Sequence, residues 1–290
     1  MSKRLLIYTF FISFLCFVFI NSPKFINFYG GGFWVYFLNV GQGDSALIKT
    51  ESAQTILIDS GPDNSLLFRI GDILPFWVHK IDLVLVSHSH KDHLSGLIYL
   101  LEHYEIGCLY YKSIDPPAND EEVYFRTLIN DLKIKLIFQD EAIWGCLKGN
   151  NEFQIQNFKN SFAYSNKYLK DQNNESLITL IKYRDIKVLF TGDAMIGEQE
   201  LVARMVGSVS ILKVPHQGSK YNLSIEALKI LRPQYAVIPV GKNSYGHPHK
   251  EVVTAYYDLG VKLFRTDQLK YFSFNLDELA DIITSDGYKK

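Results

Sequence analysis

Ser87-His88-Ser89-His90-Lys91-Asp92-His93 sets three imidazoles and a carboxylate within six positions, in a chain with only eight histidines among 290 residues. Ahead of it the apolar, β-branched run Ile81-Asp82-Leu83-Val84-Leu85-Val86 predicts a buried strand. After it Leu94-Ser95-Gly96-Leu97-Ile98-Tyr99-Leu100-Leu101 predicts a helix. The imidazoles and the acid therefore share a strand-to-helix turn. Neutral imidazole with carboxylate is the ligand set of zinc or manganese, so His88, His90, Asp92 and His93 are read as metal ligands. Lys91 should point outward, since its neighbours occupy the metal-facing directions.

Outward from this turn, more polar residues stand at strand ends. Thr55-Ile56-Leu57-Ile58-Asp59-Ser60-Gly61 reads as a strand closing on Asp-x-Gly, and Lys187-Val188-Leu189-Phe190-Thr191-Gly192-Asp193 as one closing on Thr-Gly-Asp. Val209 to Val214 is a strand running into Pro215-His216-Gln217-Gly218-Ser219, and Tyr235 to Val240 one running into Gly241-Lys242-Asn243-Ser244-Tyr245-Gly246-His247-Pro248-His249. Strands are also expected at 33–40 and 46–49, about a turn at Gly41-Gln42-Gly43-Asp44-Ser45, and at 107–111, 133–139 and 270–275. Helices are expected near 66–74, 121–132, 196–206, 224–231 and 251–259. His88, His90, Asp92, His93, Asp193 and His216 all lie at strand ends or on the turn after one, so a single sheet edge can gather them. His79, His103 and His249 read as surface residues.

The His-x-His-x-Asp-His pattern on such a turn resembles the signature of the metallo-β-lactamase superfamily. Asn39-Val40-Gly41-Gln42-Gly43-Asp44-Ser45, Asn173-Asn174-Glu175-Ser176-Leu177, Thr191-Gly192-Asp193 and the Asn-x-Tyr-Gly-His-Pro run ending at Pro248 are similar to motifs of its ComEC-type hydrolase-like domains. The resemblance implies an α/β fold, a four-layer αββα sandwich over 33–275, with one or two divalent ions, zinc or manganese, at its open edge. It implies His88, His90, Asp92, His93, Asp193 and His216 as ligands, with Asp193 bridging two ions. Asp59 would orient a metal-bound His from behind, with Asp44 and Asn174 beside it. Metals about 3.5–4 Å apart would bring the pKa of a bridging water toward ~7, which makes hydrolysis the implied reaction. Asp92 and His247 are the catalytic candidates, His247 to hydrogen-bond an oxyanion or to protonate a leaving group.

Three departures from the family pattern matter. No His occurs between His103 and His216, where many relatives supply a third imidazole to the first metal, and Asn174 stands at about that place. An amide is a weaker ligand, so that metal should be held less tightly. His90 replaces the Asp of many ComEC-type sequences and partly restores nitrogen coordination, while Gln217 replaces the family's second His.

A formal charge of −1 gives the chain no global attraction for polyanions. Between Leu212 and Lys250, however, Lys213, Lys220, Lys229, Arg232, Lys242 and Lys250 face a single acid, Glu226. Either several of these are ordinary solvated helix residues, or the local excess serves phosphodiester oxygens, with Ser219, Lys220 and Lys242 as contacts. ComEC-type domains are associated with cutting DNA at the cell surface, so the resemblance implies a phosphodiesterase or nuclease with nucleic acid as its partner. No base-reading module is visible and no protein partner is indicated. Two alternatives stay open: a hydrolase of a small ester, lactone, thioester or β-lactam, and a non-catalytic, membrane-tethered binding module.

The N-terminus marks a compositional break. Lys3 and Arg4 precede sixteen residues, Leu5 to Ile20, that are mostly apolar. Residues 1–22 are expected to be a signal peptide or an uncleaved signal anchor, or else a buried core helix. An anchor would hold the membrane and leave the catalytic domain outside the cytoplasm, and a cleaved segment would release it. Residues 23–32, ending in three glycines, read as a linker and 276–290 as a polar tail. Cys16, Cys108 and Cys146 form no Cys-x-x-Cys pattern, so neither a thiolate zinc site nor a disulfide scaffold is expected, though Cys108 can still pair with Cys146.

Overall fold

A computed structural model of the chain describes residues 3–111, 117, 119–138, 143–147, 153–158, 176–279 and 282–284. Strands β1 (Trp34–Leu38), β2 (Ala46–Lys49), β3 (Thr55–Ile58) and β4 (Lys80–Leu85) are apolar on both faces, as strands covered on both sides must be. Val35, Phe37, Ile48, Ile56, Leu83 and Leu85 point to one side, and Tyr36, Leu38, Leu47, Leu57 and Val84 to the other. With β5 (Glu105–Tyr110), β6 (Leu136–Ile137), β13 (Tyr271–Asn275) and β14 (Ile282–Thr284) they form an eight-stranded sheet in the order β14-β13-β1-β2-β3-β4-β5-β6. The second sheet has six strands, β12 (Lys262–Arg265), β11 (Tyr235–Ile238), β10 (Ile211–Lys213), β9 (Ile186–Phe190), β8 (Ile178–Tyr183) and β7 (Phe153–Phe158), in that order.

The two sheets face each other across one core, in which Phe37 stacks on Phe190 with ring centroids 5.6 Å apart. Helices α2 (Ser65–Ile73), α3 (Lys91–Leu100) and α4 (Asp120–Asp131) cover the outer face of the first sheet through Leu66, Ile70, Leu94, Leu97, Phe125 and Ile129. Helices α5 (Ile196–Val206), α6 (Ile225–Leu231) and α7 (Lys250–Asp258) cover the second through Val202, Leu228, Val252 and Tyr256. The result is an αββα sandwich. Parallel pairing of β3 with β4 and of β9 with β10 and β11 brings their C-terminal ends to a common edge, where open α/β sheets place their sites.

The N-terminal reading needs correction. Helix α1 (Lys3–Tyr29) is a single helix of 27 residues that runs through Pro23 and absorbs most of the expected linker. Among the described residues no helix is long and apolar enough to cross a membrane, so the anchor is not supported. The physical reason is length: at about 1.5 Å per residue the apolar run falls short of a hydrocarbon core about 30 Å thick. Nor is the run a core helix, since Leu5, Phe10, Phe11 and Phe14 are exposed, and Phe28 is the buried residue among the described side chains of α1. Beyond Asp277 the expected tail adds β14 to the sheet edge. Cys108 and Cys146 are disulfide-bonded, tying β5 to a segment 38 residues later, although no disulfide scaffold was indicated by their spacing.

Candidate metal centre

Each functional side chain is placed by a strand end. His88 lies just after the end of β4, His90 caps α3 in extended backbone, and Asp92 and His93 occupy that helix's first turn. Asp193 follows β9 through Gly192, whose φ of +49° makes the tight turn and whose α-carbon has Ser87 and Ser176 beside it. His216 follows β10 in the left-handed region at φ 47°, and Gln217 at 46°. Two successive non-glycine residues in that region are costly, and they mark a backbone bent to aim side chains.

Three imidazoles are held in one manner, tethered at Nδ1 and aimed with Nε2 at Asp193. The Nδ1 of His88 lies 3.0 Å from Ser87 Oγ and 3.3 Å from Ser176 Oγ, and its Nε2 lies 3.9 Å from Asp193 Oδ2. His93 pairs through Nδ1 with Asp59 Oδ2 at 2.9 Å and sets Nε2 3.3 Å from Asp193 Oδ1. The Nδ1 of His216 lies 3.0 Å from Asn222 Oδ1 and its Nε2 3.5 Å from Asp193 Oδ2. Tethering one ring nitrogen to fix the other is how metal-binding histidines are oriented. His90 Nδ1 lies 3.0 Å from His88 Nε2, and Asp92 Oδ2 lies 3.7 Å from His93 Nε2. All six residues expected as ligands thus meet at one place.

Donor atoms of His88, His93 and Asp193 lie within 4.8 Å of one another, as do those of Asp44, Asp59 and His93, and all five side chains are buried. The Nε2 of His93 and the Oδ1 of Asp193 are buried without a hydrogen-bond partner among the described residues. Buried polar atoms left in that state and facing each other fit a divalent cation, and the nitrogen and oxygen donors suit zinc or manganese. Burial depresses the pKa of His88 well below the usual range, with neighbouring His93 adding to it. For His93 burial acts the same way, but Asp193, Asp44, Asp92 and Asp59 outweigh it and hold the ring protonated well above the usual range. Burial pushes the Asp193 carboxyl up, yet His93, His88 and Lys213 prevail and hold it well below the usual range.

Asp59 accepts the Ser87 N–H at 2.7 Å and the Ser87 Oγ–H at 2.8 Å as well as contacting His93, so it anchors the start of the motif. Its own φ of 56° is what the turn requires. Asp44 sits beside Gly43, where a β-carbon would fall 2.4 Å from the Asp92 carbonyl oxygen, which is why a glycine lets this loop reach the motif. Burial raises the Asp44 carboxyl to about 7, against the pull of Lys213 and His93. Asn174 lies outside the described residues. Ser219, expected at the substrate, is instead buried, facing the interior beside Val214 and Leu228, and its N–H closes the turn onto the His216 carbonyl at 2.8 Å. Lys220 and Lys242 are exposed.

An open cleft of about 430 Å³ lies over this cluster, lined by Gln42, His90, Asp92, His216, Gln217 and His247 among others. In it Gln217 Nε2 donates to Asp92 Oδ2 at 2.9 Å and Gln42 Nε2 donates to Gln217 Oε1 at 3.2 Å. His247 is half-buried, and burial followed by the nearby His216 and His249 lowers its pKa. The Nδ1 of His247 has no partner among the described residues.

Four residues that matter here are not singled out by the sequence. Lys213, counted above among the basic residues that face a substrate, is buried and forms an ion pair with Asp44 while its Nζ donates to the Gly192 carbonyl at 2.7 Å. A lysine at the end of the apolar strand Ile211-Leu212-Lys213 was the available signal. Ser176 accepts the Asp193 N–H at 3.1 Å, and Asn222 Nδ2 donates to the Asp193 carbonyl at 3.0 Å. Glu122 on α4 reaches Ser89 at 3.3 Å. Asn222 and Glu122 carry no local pattern, whereas Ser176 lies in the Asn173-to-Leu177 run quoted above.

Residues 38–149 match the family model described as the metallo-β-lactamase superfamily. The chain is 27% identical over 255 residues, 80% of its length, to ComE operon protein 3 of Bacillus subtilis, and 28% identical over 74% of its length to Recombination protein 2 of Haemophilus influenzae. It spans 31% and 25% of those two relatives. Its fold is similar to that of the metallo-beta-lactamase fold protein YhfI from Bacillus subtilis, with a TM-score of 0.57 at 14% identity over 83% of this chain and 99% of that one. The chain thus matches the metallo-β-lactamase superfamily over residues 38–149, has the metallo-β-lactamase fold of metal-dependent hydrolases, and is similar over most of its length to the ComEC-type relatives.

Proposed function

We propose that this chain is a metal-dependent phosphodiesterase, a nuclease acting on DNA outside the cytoplasm. The observation that carries the reading is the convergence of three tethered imidazoles on Asp193 directly beneath an open cleft. His88, His90, Asp92, His93, Asp193 and His216 would hold one or two zinc or manganese ions, with Asp59 fixing His93. A divalent ion so held supplies Lewis-acid chemistry and makes water a competent nucleophile near neutral pH. Asp92 presents a carboxylate to the cleft in an orientation fixed by Gln217, so it can orient water and accept its proton. His247 stays neutral at pH 7 because its pKa is lowered, which suits it to donate a hydrogen bond to the developing oxyanion rather than to deliver a proton.

DNA as substrate is supported by the likeness to ComEC-type DNA-uptake proteins and by exposed Lys220, Lys242 and Lys250 on the segment bearing His216 and His247. The disulfide supports an oxidising compartment, where such bonds persist. The test is to incubate the full chain with manganese or zinc against single- and double-stranded DNA, an acyl-lactone and nitrocefin. Metal-dependent cleavage of DNA alone is the expected result. Turnover of the lactone or nitrocefin without DNA cleavage would overturn the reading, as would protection of DNA without cutting.

A further inference from the structure

Four aromatic rings run in a row from the metal cluster to the protein surface. His247 stands 5.7 Å from His216, centroid to centroid. From His247 the row extends one way to Tyr245 at 5.8 Å, and the other way to His249 at 5.0 Å and on to Tyr221 at 6.2 Å. The two ends are open: Tyr245 is 69% and Tyr221 71% exposed. Exposed rings of this size are ordinary singly, but here two of them flank a catalytic candidate on one rim.

The row is built to stay in place. Asn243 accepts the N–H groups of Tyr245 and His247 at 3.1 and 3.0 Å and donates to the carbonyls of Gly241 and His247 at 2.9 and 2.8 Å, so its side chain braces the turn carrying Tyr245. On the other side the Lys220 N–H donates to His249 Nδ1 at 3.3 Å, and the Lys220 ammonium lies 5.5 Å above the Tyr221 ring. The Lys220 ammonium over Tyr221 pairs a phosphate contact with a flat apolar face, and an exposed Lys242 lies three residues before Tyr245 in the chain.

We infer that Tyr245 and Tyr221 form a nucleobase-stacking subsite that seats unpaired nucleotides on either side of the phosphodiester to be cut. The inference rests on the phosphodiesterase reading and adds what that reading leaves open, the strand form of the substrate. A base inside a duplex has both faces covered by its neighbours and offers no face to a tyrosine. An unpaired base does, and stacking tolerates any sequence because every base has a π-face. The strand thus lies along the ring row with its phosphate over His247.

The test measures binding of a fluorescein-labelled oligothymidylate to the full chain by anisotropy, beside an abasic strand of the same length and a duplex. The wild-type protein should prefer the oligothymidylate to both. Tyr245→Leu and Tyr221→Leu should each weaken oligothymidylate binding about tenfold and leave abasic binding unchanged, while Tyr245→Phe retains wild-type affinity. Equal affinity for base-bearing and abasic strands, or Leu variants that bind like wild type, would overturn the subsite. These are binding readouts, so they stand apart from the hydrolytic reading: binding with base preference but no cleavage would sink that reading and leave the subsite standing.

Discussion

The floor and the rim of the cleft are built from the same residue types on opposite principles. On the floor, His88, His93, Asp59 and Asp193 are buried and fixed by protein partners, while His93 Nε2 and Asp193 Oδ1 keep no hydrogen-bond partner among the described residues. On the rim, Asp92, His90 and His247 are half-exposed, Asp92 held from the cleft side by Gln217 and His247 with a ring nitrogen unengaged among the described residues. The contrast teaches that burial here selects for charge and exposure for reach. Asp193→Ala attacks the floor at its centre, where three Nε2 atoms meet, and should abolish turnover and lower bound metal measured by elemental analysis. Retained activity in that variant would erase the distinction between floor and rim.

Lys213→Met strikes the floor from behind. It removes the ammonium that matches Asp44 and approaches Asp193 to 3.9 Å, leaving buried carboxylates without their cation. Breaking a buried pair on one side costs about 3–5 kcal/mol, so the variant should melt well below wild type. Added manganese or zinc supplies a competing positive charge and should recover part of that loss. A melting curve indifferent to both the mutation and the metal would show that Lys213 is not part of the cluster's charge balance.

Much of the cluster was legible because its residues obey local rules. His88, His90, Asp92 and His93 fall within six positions, and Asp193 and His216 follow apolar strands, so a one-dimensional reading picks them out. The roles of Lys213, Ser176 and Asn222 were not legible, since each acts through a partner distant in sequence: Ser176 stood in a quoted motif and Lys213 at the end of an apolar strand, but neither position names its partner. Ser219, expected at the substrate beside Lys220, is instead folded inward by the His216 turn, which its place in the sequence does not reveal. Strand and helix periods located most of the elements, while their αββα order came from the family resemblance. Strand β7 could have been found as well, because Phe153-Gln154-Ile155-Gln156 alternates apolar and polar at the strand period. The N-terminal run misled through composition: residues as apolar as a membrane span are not long enough to be one.

Rim residues should give smaller, graded effects. His247→Ala should lower kcat about a hundredfold while metal content holds, as loss of one positioned hydrogen-bond donor does. A lost metal equivalent would move His247 to the floor. The pH behaviour separates the two regions again. The floor's His93 is held protonated above its ordinary range, so metal binding must displace a proton, and affinity should climb with pH until the medium passes its raised pKa. His247 is shifted the other way, toward its neutral form, so His247→Ala should leave the slope unaltered. Calorimetry in buffers of differing ionisation enthalpy measures the released protons, and no release near neutral pH would contradict the assignment of His93 as a ligand.

The smallest effect should come from the link between the two regions. Glu122 is fully buried on α4, where it accepts from Tyr111 Oη at 2.5 Å, from Arg126 at 2.7 Å and from Ser89 at 3.3 Å, and Ser89 lies between His88 on the floor and His90 on the rim. Glu122→Gln keeps the shape but removes the charge that holds three donors at once, at a cost of about 1–3 kcal/mol. Because Ser89 alone of these partners belongs to the motif, the catalytic consequence should be a severalfold fall in kcat with KM unchanged. Ser89→Ala should reproduce the kinetic loss with little of the thermal one. If Glu122→Gln melts lower yet cuts at the wild-type rate, the network serves only the packing of α4 against β5, and floor and rim are joined through the turn's backbone alone.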